Sequence, residues 1–217
     1  MQPARAATPP RQRATLVNAR SRETRRALIR AALRLWGDGD FDEAYEASTG
    51  ADIARAAGVS KGTFYFHFAN KEEILLEMSS ATAQAMIDQV EAGIRRDVPL
   101  RSLSEEVMAS MAQRVVRAPK AAAVRAGSLG FSSRAGAVTL AGPRLGVAFE
   151  SLVRYGKERG ELSAKTDVEE SAAMLSAVTA EALIRWGTGG RSASWLRQTL
   201  RDRVDIVLCG INRTGDR

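Results

Sequence analysis

The sequence has little of the chemistry that enzymes and metalloproteins use, since its 217 residues include one cysteine and one histidine. The lone Cys209 cannot build a disulfide framework or a CxxC zinc site, and the lone His67 cannot build a histidine-cluster metal centre. We therefore expect no metal, no cofactor, no catalytic residue and no enzymatic activity, because acid–base or nucleophilic catalysis needs several convergent groups. A helical enzyme that works with carboxylates alone is the alternative.

Long apolar runs are also absent. The most apolar stretch, around residues 172–184, is interrupted by serine, threonine and glutamate, and it is far shorter than the roughly 20 residues that cross a bilayer. The N-terminus contains arginine and proline but not the apolar segment of a secretory signal. We therefore expect a soluble, cytoplasmic protein with no membrane contact.

What the sequence has in excess is positive charge, with 32 Lys and Arg against 25 Asp and Glu and a formal net charge of +7. Residues 1–71 hold 12 basic and 7 acidic side chains, so most of the excess lies there. Residues 1–22 contain five arginines and no acid, and we expect residues 1–20 to form a flexible basic arm. Such an arm either contacts DNA phosphates or a minor groove, or is only a solvated tail.

The rest of the chain predicts an all-α fold, because apolar residues recur at spacings of three and four and the period-two alternation of strands is absent. Predicted helices cover residues 21–37, 49–57 and 60–66, a long segment from Asn70, and residues 101–118, 120–134, 143–160, 167–187 and 193–210. We expect a small, basic three-helix N-terminal unit over residues 21–70. The long helix joins it to a larger helical body over residues 71–217.

The segment from Asp52 to Phe68 predicts a helix-turn-helix, the unit that presents its second helix to the DNA major groove. Gly58 lies where the chain leaves one short helix and turns tightly, a position that favours a positive φ. Ser60 is then a suitable N-cap for the next helix. The aromatic residues expected in the core of this unit are Phe64, Phe66 and Phe68.

The run AGVSKGTFYFHFANKEEIL, within a match from Ile53 to Leu75, resembles the signature of the TetR family of transcriptional regulators. Two departures from the family pattern are visible. The chain holds about four extra residues between Phe41 and Thr49, and Gly50 stands where the family usually has an apolar residue.

The resemblance implies that residues 21–70 form a helix-turn-helix DNA-binding domain and residues 71–217 a helical ligand-binding and dimerisation body. It implies a DNA-binding repressor that binds a palindromic operator in double-stranded DNA as a homodimer and is released by a small-molecule effector. The alternative is a DNA-bound regulator that acts through protein partners without a small ligand. The implied DNA-binding residues are Thr49, Ser60, Lys61, Gly62, Thr63, Tyr65, His67 and Lys71. Ser60, Lys61 and Thr63 would lie at or near base edges. Phosphate contacts are implied for Tyr65, His67, Lys71 and Thr49, and Gly62 would let the helix start approach the DNA backbone closely.

Two apolar stripes near the C-terminus are candidates for the subunit interface, which the resemblance implies is a four-helix bundle. They consist of Leu175, Val178 and Ala182, and of Leu196, Leu200, Val204, Val207 and Leu208. The alternative is that either stripe belongs to the core of one subunit.

The resemblance also implies that the body encloses a ligand pocket. Candidate lining residues are apolar, with aromatic or adaptable side chains. They are Met108, Met111, Phe131, Phe149, Met174 and Trp186. At helical spacing, the alternative for each is ordinary core packing.

Overall fold

The computed structural model describes residues 10–37, 40–132 and 144–215, and every regular element in them is an α-helix, so the all-α prediction is confirmed. The helices are α1 (Pro10–Gly37), α2 (Phe41–Ala47), α3 (Gly50–Ala56), α4 (Lys61–His67), α5 (Glu72–Arg95), α6 (Leu100–Val115), α7 (Lys120–Ser132), α8 (Leu145–Glu158), α9 (Val168–Thr188) and α10 (Ala193–Gly215). They form two compact units, divided in the sequence between Lys71 and Glu72. We call these the N-terminal unit and the body.

Helix α1 begins at Pro10, well before the predicted start at Ser21. The prediction of a flexible arm over residues 1–20 is therefore wrong for residues 10–20, and residues 1–9 lie outside the described part of the chain. Proline suits the first turn of a helix, because it has no N–H to leave unpaired and its φ is close to the helical value. No glycine and no second proline follows over residues 11–20, where arginine, alanine, glutamine and leucine favour a helix.

The extra residues before Thr49 form helix α2, which the sequence analysis did not predict. Asp40 caps this helix, its Oδ1 accepting the N–H of Glu43 at 3.0 Å. The rings of Phe41 and Tyr45 lie 6.1 and 5.0 Å from the ring of Trp36 on α1. All three are buried. The additional residues therefore enlarge the core of the N-terminal unit.

The body is built on one apolar core shared by α5 to α10. Two hydrogen bonds join the end of α8 and the turn after it to the start of α6. Glu161 Oε2 accepts the N–H of Leu100 at 2.9 Å, and the Tyr155 hydroxyl donates to the carbonyl of Val98 at 2.9 Å. Gly160 adopts φ 72° in this turn. No helix in the described ranges is both long and apolar enough to cross a membrane.

Most of the predicted interface residues lie inside a single subunit. Exposure is 6% or less for Leu175, Ala182, Leu196, Leu200, Val204 and Leu208. These side chains pack where α9 and α10 meet the rest of the body, and a side chain without surface cannot reach a second chain. The prediction that these six form the interface is therefore wrong, and only Val178 and Val207 keep partial exposure.

The predicted pocket residues fall into two groups. Met108, Met111, Phe149 and Trp186 are buried in the core of the body. Phe131 and Met174 are 45% and 41% exposed, so they do not share the buried core with the other four, and their place in a pocket stays a prediction. Helical spacing identified apolar positions, but it did not distinguish an inward from an outward face at these two.

Candidate nucleic-acid interface

Helices α3 and α4 form a helix-turn-helix. The turn between them contains Gly58 at φ 72°, which confirms the predicted positive φ. A Cβ on Gly58 would meet no atom within 4 Å, so the backbone conformation, and not lack of space, favours glycine there. The N–H of Val59 donates to the carbonyl of Ala54 at 3.0 Å and closes the end of α3.

Thr49 fixes the start of α3 through a capping box with Asp52. Its Oγ1 accepts the N–H of Asp52 at 3.3 Å, and Asp52 Oδ2 accepts the N–H of Thr49 at 2.9 Å and its hydroxyl at 2.6 Å. The hydrogen bonds from Thr49 lower the pKa of the Asp52 carboxyl. Because the Thr49 hydroxyl already donates within the unit, a phosphate contact from it would have to displace that bond.

Gly50 makes room for the packing of α4 on α3. It is buried, and a Cβ at this position would lie 2.5 Å from Cε1 of the Phe64 ring. Phe64 itself has no exposed surface. The aromatic ring thus occupies the space that an apolar side chain would need, which accounts for glycine at this position.

Helix α4 is capped by Ser60, whose Oγ accepts the N–H of Thr63 at 3.1 Å. The Ser60 and Thr63 hydroxyl oxygens are 2.8 Å apart. Lys61 and Gly62 are exposed in the first turn, and Tyr65 follows one turn later at 49% exposure. The structure therefore places the predicted base-reading residues together on the first turn of one helix.

Phe66 is 79% exposed, and the prediction that it belongs to the core is wrong. The reason is its phase on α4. Successive residues of an α-helix are about 100° apart around its axis, so Phe66, two residues after Phe64, lies about 200° away from it and points away from the buried side. Phe64 and Phe68, four residues apart, share the buried face as predicted.

His67 is partly buried at the end of α4 and is fixed by Arg25 of α1. The Arg25 guanidinium donates to the carbonyl of His67 at 2.6 Å and lies 4.3 Å from the centre of the Phe68 ring. Burial, and then the positive charge of Arg25, lower the pKa of the His67 imidazole. The neutral form is therefore favoured, which can donate one hydrogen bond to a phosphate but brings no charge to it.

Lys71 is engaged within the N-terminal unit. Its ammonium donates hydrogen bonds to three backbone carbonyls, those of Tyr45, Glu46 (3.3 Å) and Ser48 (3.2 Å). It also lies 4.3 Å from the centre of the Tyr45 ring. These carbonyls lie at the C-terminal end of α2, where the helix dipole favours a cation. The arrangement, which we call the Lys71 clamp, uses all three ammonium donors, so the structure supports a positioning role and not the phosphate contact.

The charge of the N-terminal unit is segregated. No acidic residue occurs between Asp52 and Glu72, the stretch that includes all of α4. Four exposed acids lie on or next to α2: Asp40, Asp42, Glu43 and Glu46. The helix that carries Lys61 therefore lacks the local negative charge that would repel a polyanion.

Solved structures of helical regulators share this fold. The chain is similar to Thermus thermophilus FadR, a TetR-family transcriptional repressor solved in complex with lauroyl-CoA, with a TM-score of 0.65 at 22% identity, covering 86% of this chain and 94% of that one. It is also similar to SmeT, the repressor of the Stenotrophomonas maltophilia multidrug efflux pump SmeDEF, with a TM-score of 0.61 at 19% identity, covering 86% and 89%.

The sequence comparisons match the N-terminal part of the chain. Residues 28–78 match the family model of bacterial regulatory proteins of the tetR family. The HTH-type transcriptional regulator TcmR of Streptomyces glaucescens is 39% identical over 83 residues, which are 38% of this chain and 35% of that protein. The match thus spans about a third of the length of this curated relative. The resemblance to the TetR family is confirmed, and the N-terminal unit is a TetR-family helix-turn-helix domain.

Proposed function

We propose that this protein is a ligand-responsive transcriptional repressor that binds a palindromic operator as a homodimer and acts in the cytoplasm, without enzymatic activity. The observation that carries the proposal is the exposed face of α4, where Ser60, Lys61, Gly62 and Tyr65 stand clear of the core. A B-DNA major groove is about 12 Å wide and admits such a helix. Because acids are absent from this stretch, phosphates can approach it closely.

The proposed contacts divide by chemistry. Lys61 suits a guanine edge, with Ser60 and Thr63 beside it, and Gly62 lets the helix start approach closely. Tyr65, the neutral His67 and Thr49 suit phosphates as hydrogen-bond donors. Lys71 acts indirectly in this proposal, because its clamp holds the segment that leads into α3.

For the homodimer, we propose the exposed faces of α9 and α10 in place of the buried stripes. Met174 and Ile184 on α9 are 41% and 44% exposed, and Ile206 on α10 is 69% exposed. Val178 and Val207 are partly exposed on the same two helices. Packing against the same faces of a second copy would remove this apolar surface from water.

For the effector, we propose a largely apolar small molecule that carries a hydrogen-bonding oxygen. Within the described residues, two buried polar atoms of α9 have no hydrogen-bond partner: Thr179 Oγ1 and Trp186 Nε1. Leaving such a group unpaired costs about 1–3 kcal/mol, which a ligand oxygen would offset at the indole N–H. The adaptable side chains of Met108 and Met111 belong to the same core.

Release from DNA would follow from a population shift. A ligand bound in the body favours a dimer geometry in which the two copies of α4 no longer match the spacing of the operator half-sites. The coupling free energy between ligand and DNA equals the difference in ligand-binding free energy between the two dimer geometries. A thermal-shift screen of small molecules would find candidates, because a ligand that binds the native state raises its apparent stability.

The test of DNA binding is titration of a labelled duplex, selected from a random library by the wild-type protein, with Lys61→Ala and Tyr65→Ala. We expect each substitution to weaken binding about tenfold, the effect of losing one good contact to a base or phosphate. Lys165→Ala is the matched control, because it removes the same charge from the body. Wild-type affinity in both variants would contradict the proposal.

A further inference from the structure

Phe66 exposes more of its surface than any other large apolar side chain that the structure describes, at 79%. It lies on α4, the helix proposed above to enter the major groove. Core packing does not account for Phe66, because the phenyl rings that this segment contributes to the core are those of Phe64 and Phe68. The ring is therefore available to a partner of the protein.

The surroundings of Phe66 hold its ring and leave it accessible. The His67 ring lies edge-on to it, with ring centres 5.1 Å apart and planes at 83°. Gly62, one turn earlier on the same face of α4, has no side chain to cover the ring and is itself exposed. A flat surface can therefore approach Phe66 along the helix.

The charge around the ring favours DNA as that partner. Lys61 lies on the same helix, no acid occurs between Asp52 and Glu72, and residues 1–71 carry five more basic than acidic side chains. A phenyl ring cannot form the hydrogen bonds that distinguish most base edges. It can pack against the C5-methyl group of thymine, the one methyl that the four bases present in the major groove.

We propose that Phe66 is a specificity-determining residue that reads a thymine methyl group in each half-site of the operator. This inference rests on the proposed function. Lys61 would read its base through polar contacts, and Phe66 would read the neighbouring one through apolar contact alone. An operator half-site then contains a thymine that no hydrogen bond of the protein recognises.

The test removes the methyl group and nothing else. The probe is a duplex selected from a random library by the full-length wild-type protein, in which each thymine of the half-sites is replaced singly by deoxyuridine. We expect one replacement per half-site to weaken wild-type binding about fourfold, the factor given by burying one methyl-sized group. The Phe66→Ala variant should bind the parent duplex more weakly than the wild type does, and it should bind the parent and the deoxyuridine duplex with equal affinity.

Two further variants control the experiment. Phe66→Leu keeps an apolar contact, so it should retain part of the sensitivity to the methyl group. Phe131→Ala removes a ring that is 45% exposed in the body, and it should show the wild-type profile. Thermal unfolding should not distinguish Phe66→Ala from the wild type, because the ring contributes little to the core.

The outcomes separate this inference from the function on which it rests. An identical deoxyuridine profile in the wild type and in Phe66→Ala would overturn the inference and leave the regulator intact. Equal weakening of selected and random duplexes by Phe66→Ala would also overturn it, since the ring would then contact only the backbone. Failure to select any duplex would overturn the proposed function, and the inference with it.

Discussion

The N-terminal unit and the body are held together by different means. Helices α2, α3 and α4 have seven residues each, and polar bonds at their ends fix them: Asp40, Thr49 and Ser60 as N-caps, and Lys71 at a C-terminus. Helices α5 and α9 have 24 and 21 residues; Asp167 caps the start of α9 in the same way, but both long helices also bury extended apolar faces. Short helices are marginal without such caps, because few internal hydrogen bonds offset the cost of forming them.

The largest expected effect lies in the body, where one apolar side chain carries much packing. Leu200 on α10 is fully buried, so Leu200→Ala should lower the free energy of unfolding of the body by about 3 kcal/mol, as buried leucine truncations do. Hydrogen exchange resolves the effect to α8–α10 amides. Ile94→Ala on α5 is the control, because Ile94 is 38% exposed and loses an apolar side chain of the same size. An equal loss of protection in α3 and α4 would contradict the division into two kinds of stabilisation.

A smaller effect is expected for the Lys71 clamp, which tests the polar side of the comparison. Lys71→Met keeps the apolar stem and removes the ammonium from three carbonyls, so the N-terminal unit should lose about 2 kcal/mol. Exchange of the α2 amides should accelerate first. Lys165→Met, on the body, is the matched control. If DNA affinity fell and exchange stayed unchanged, Lys71 would contact phosphate and the clamp would be incidental.

The smallest effect concerns pH. Because the pKa of His67 is lowered in the folded protein, the unfolded chain binds a proton more readily as pH falls through about 6.5, so stability declines there. Above that pH both states are neutral and His67 has no effect. We expect urea unfolding of His67→Gln to depend less on pH between 7.5 and 5.5 than that of the wild type. Equal pH dependence in the two proteins would show that His67 titrates alike in both states.

The same contrast explains what could be predicted from the sequence. Ser60 and Gly58 mark the helix-turn-helix because caps and turns depend on residue types at fixed positions. Helix α2 was missed, since seven residues are too few for periodicity to show and, unlike α3 and α4, it lies outside the helix-turn-helix pattern. Its signals were Asp40 as a cap and Phe41 and Tyr45 four residues apart. Without α2, the partner carbonyls of Lys71 could not be foreseen.

Other errors arose where spacing defines a face but not what covers it. The stripe from Leu196 to Leu208 was correctly apolar, yet burial in one subunit and burial between two subunits leave the same pattern. Phe66 was grouped with its aromatic neighbours by composition, although its position two residues after Phe64 places it on the opposite face. The start of α1 was missed because the prediction of an arm depended on charge, and a proline such as Pro10 also suits the first turn of a helix.

The Lys71 clamp has a consequence for the boundary of the N-terminal unit. It joins the last residue of that unit to the end of α2, and the chain between them contains both helices of the helix-turn-helix. The loop closed in this way is complete only when residue 71 is present. During synthesis, the N-terminal unit can therefore reach its final form only after Lys71 has left the ribosome. We expect a fragment that ends at Asn70 to be less ordered at α2 than one that ends a residue or two later.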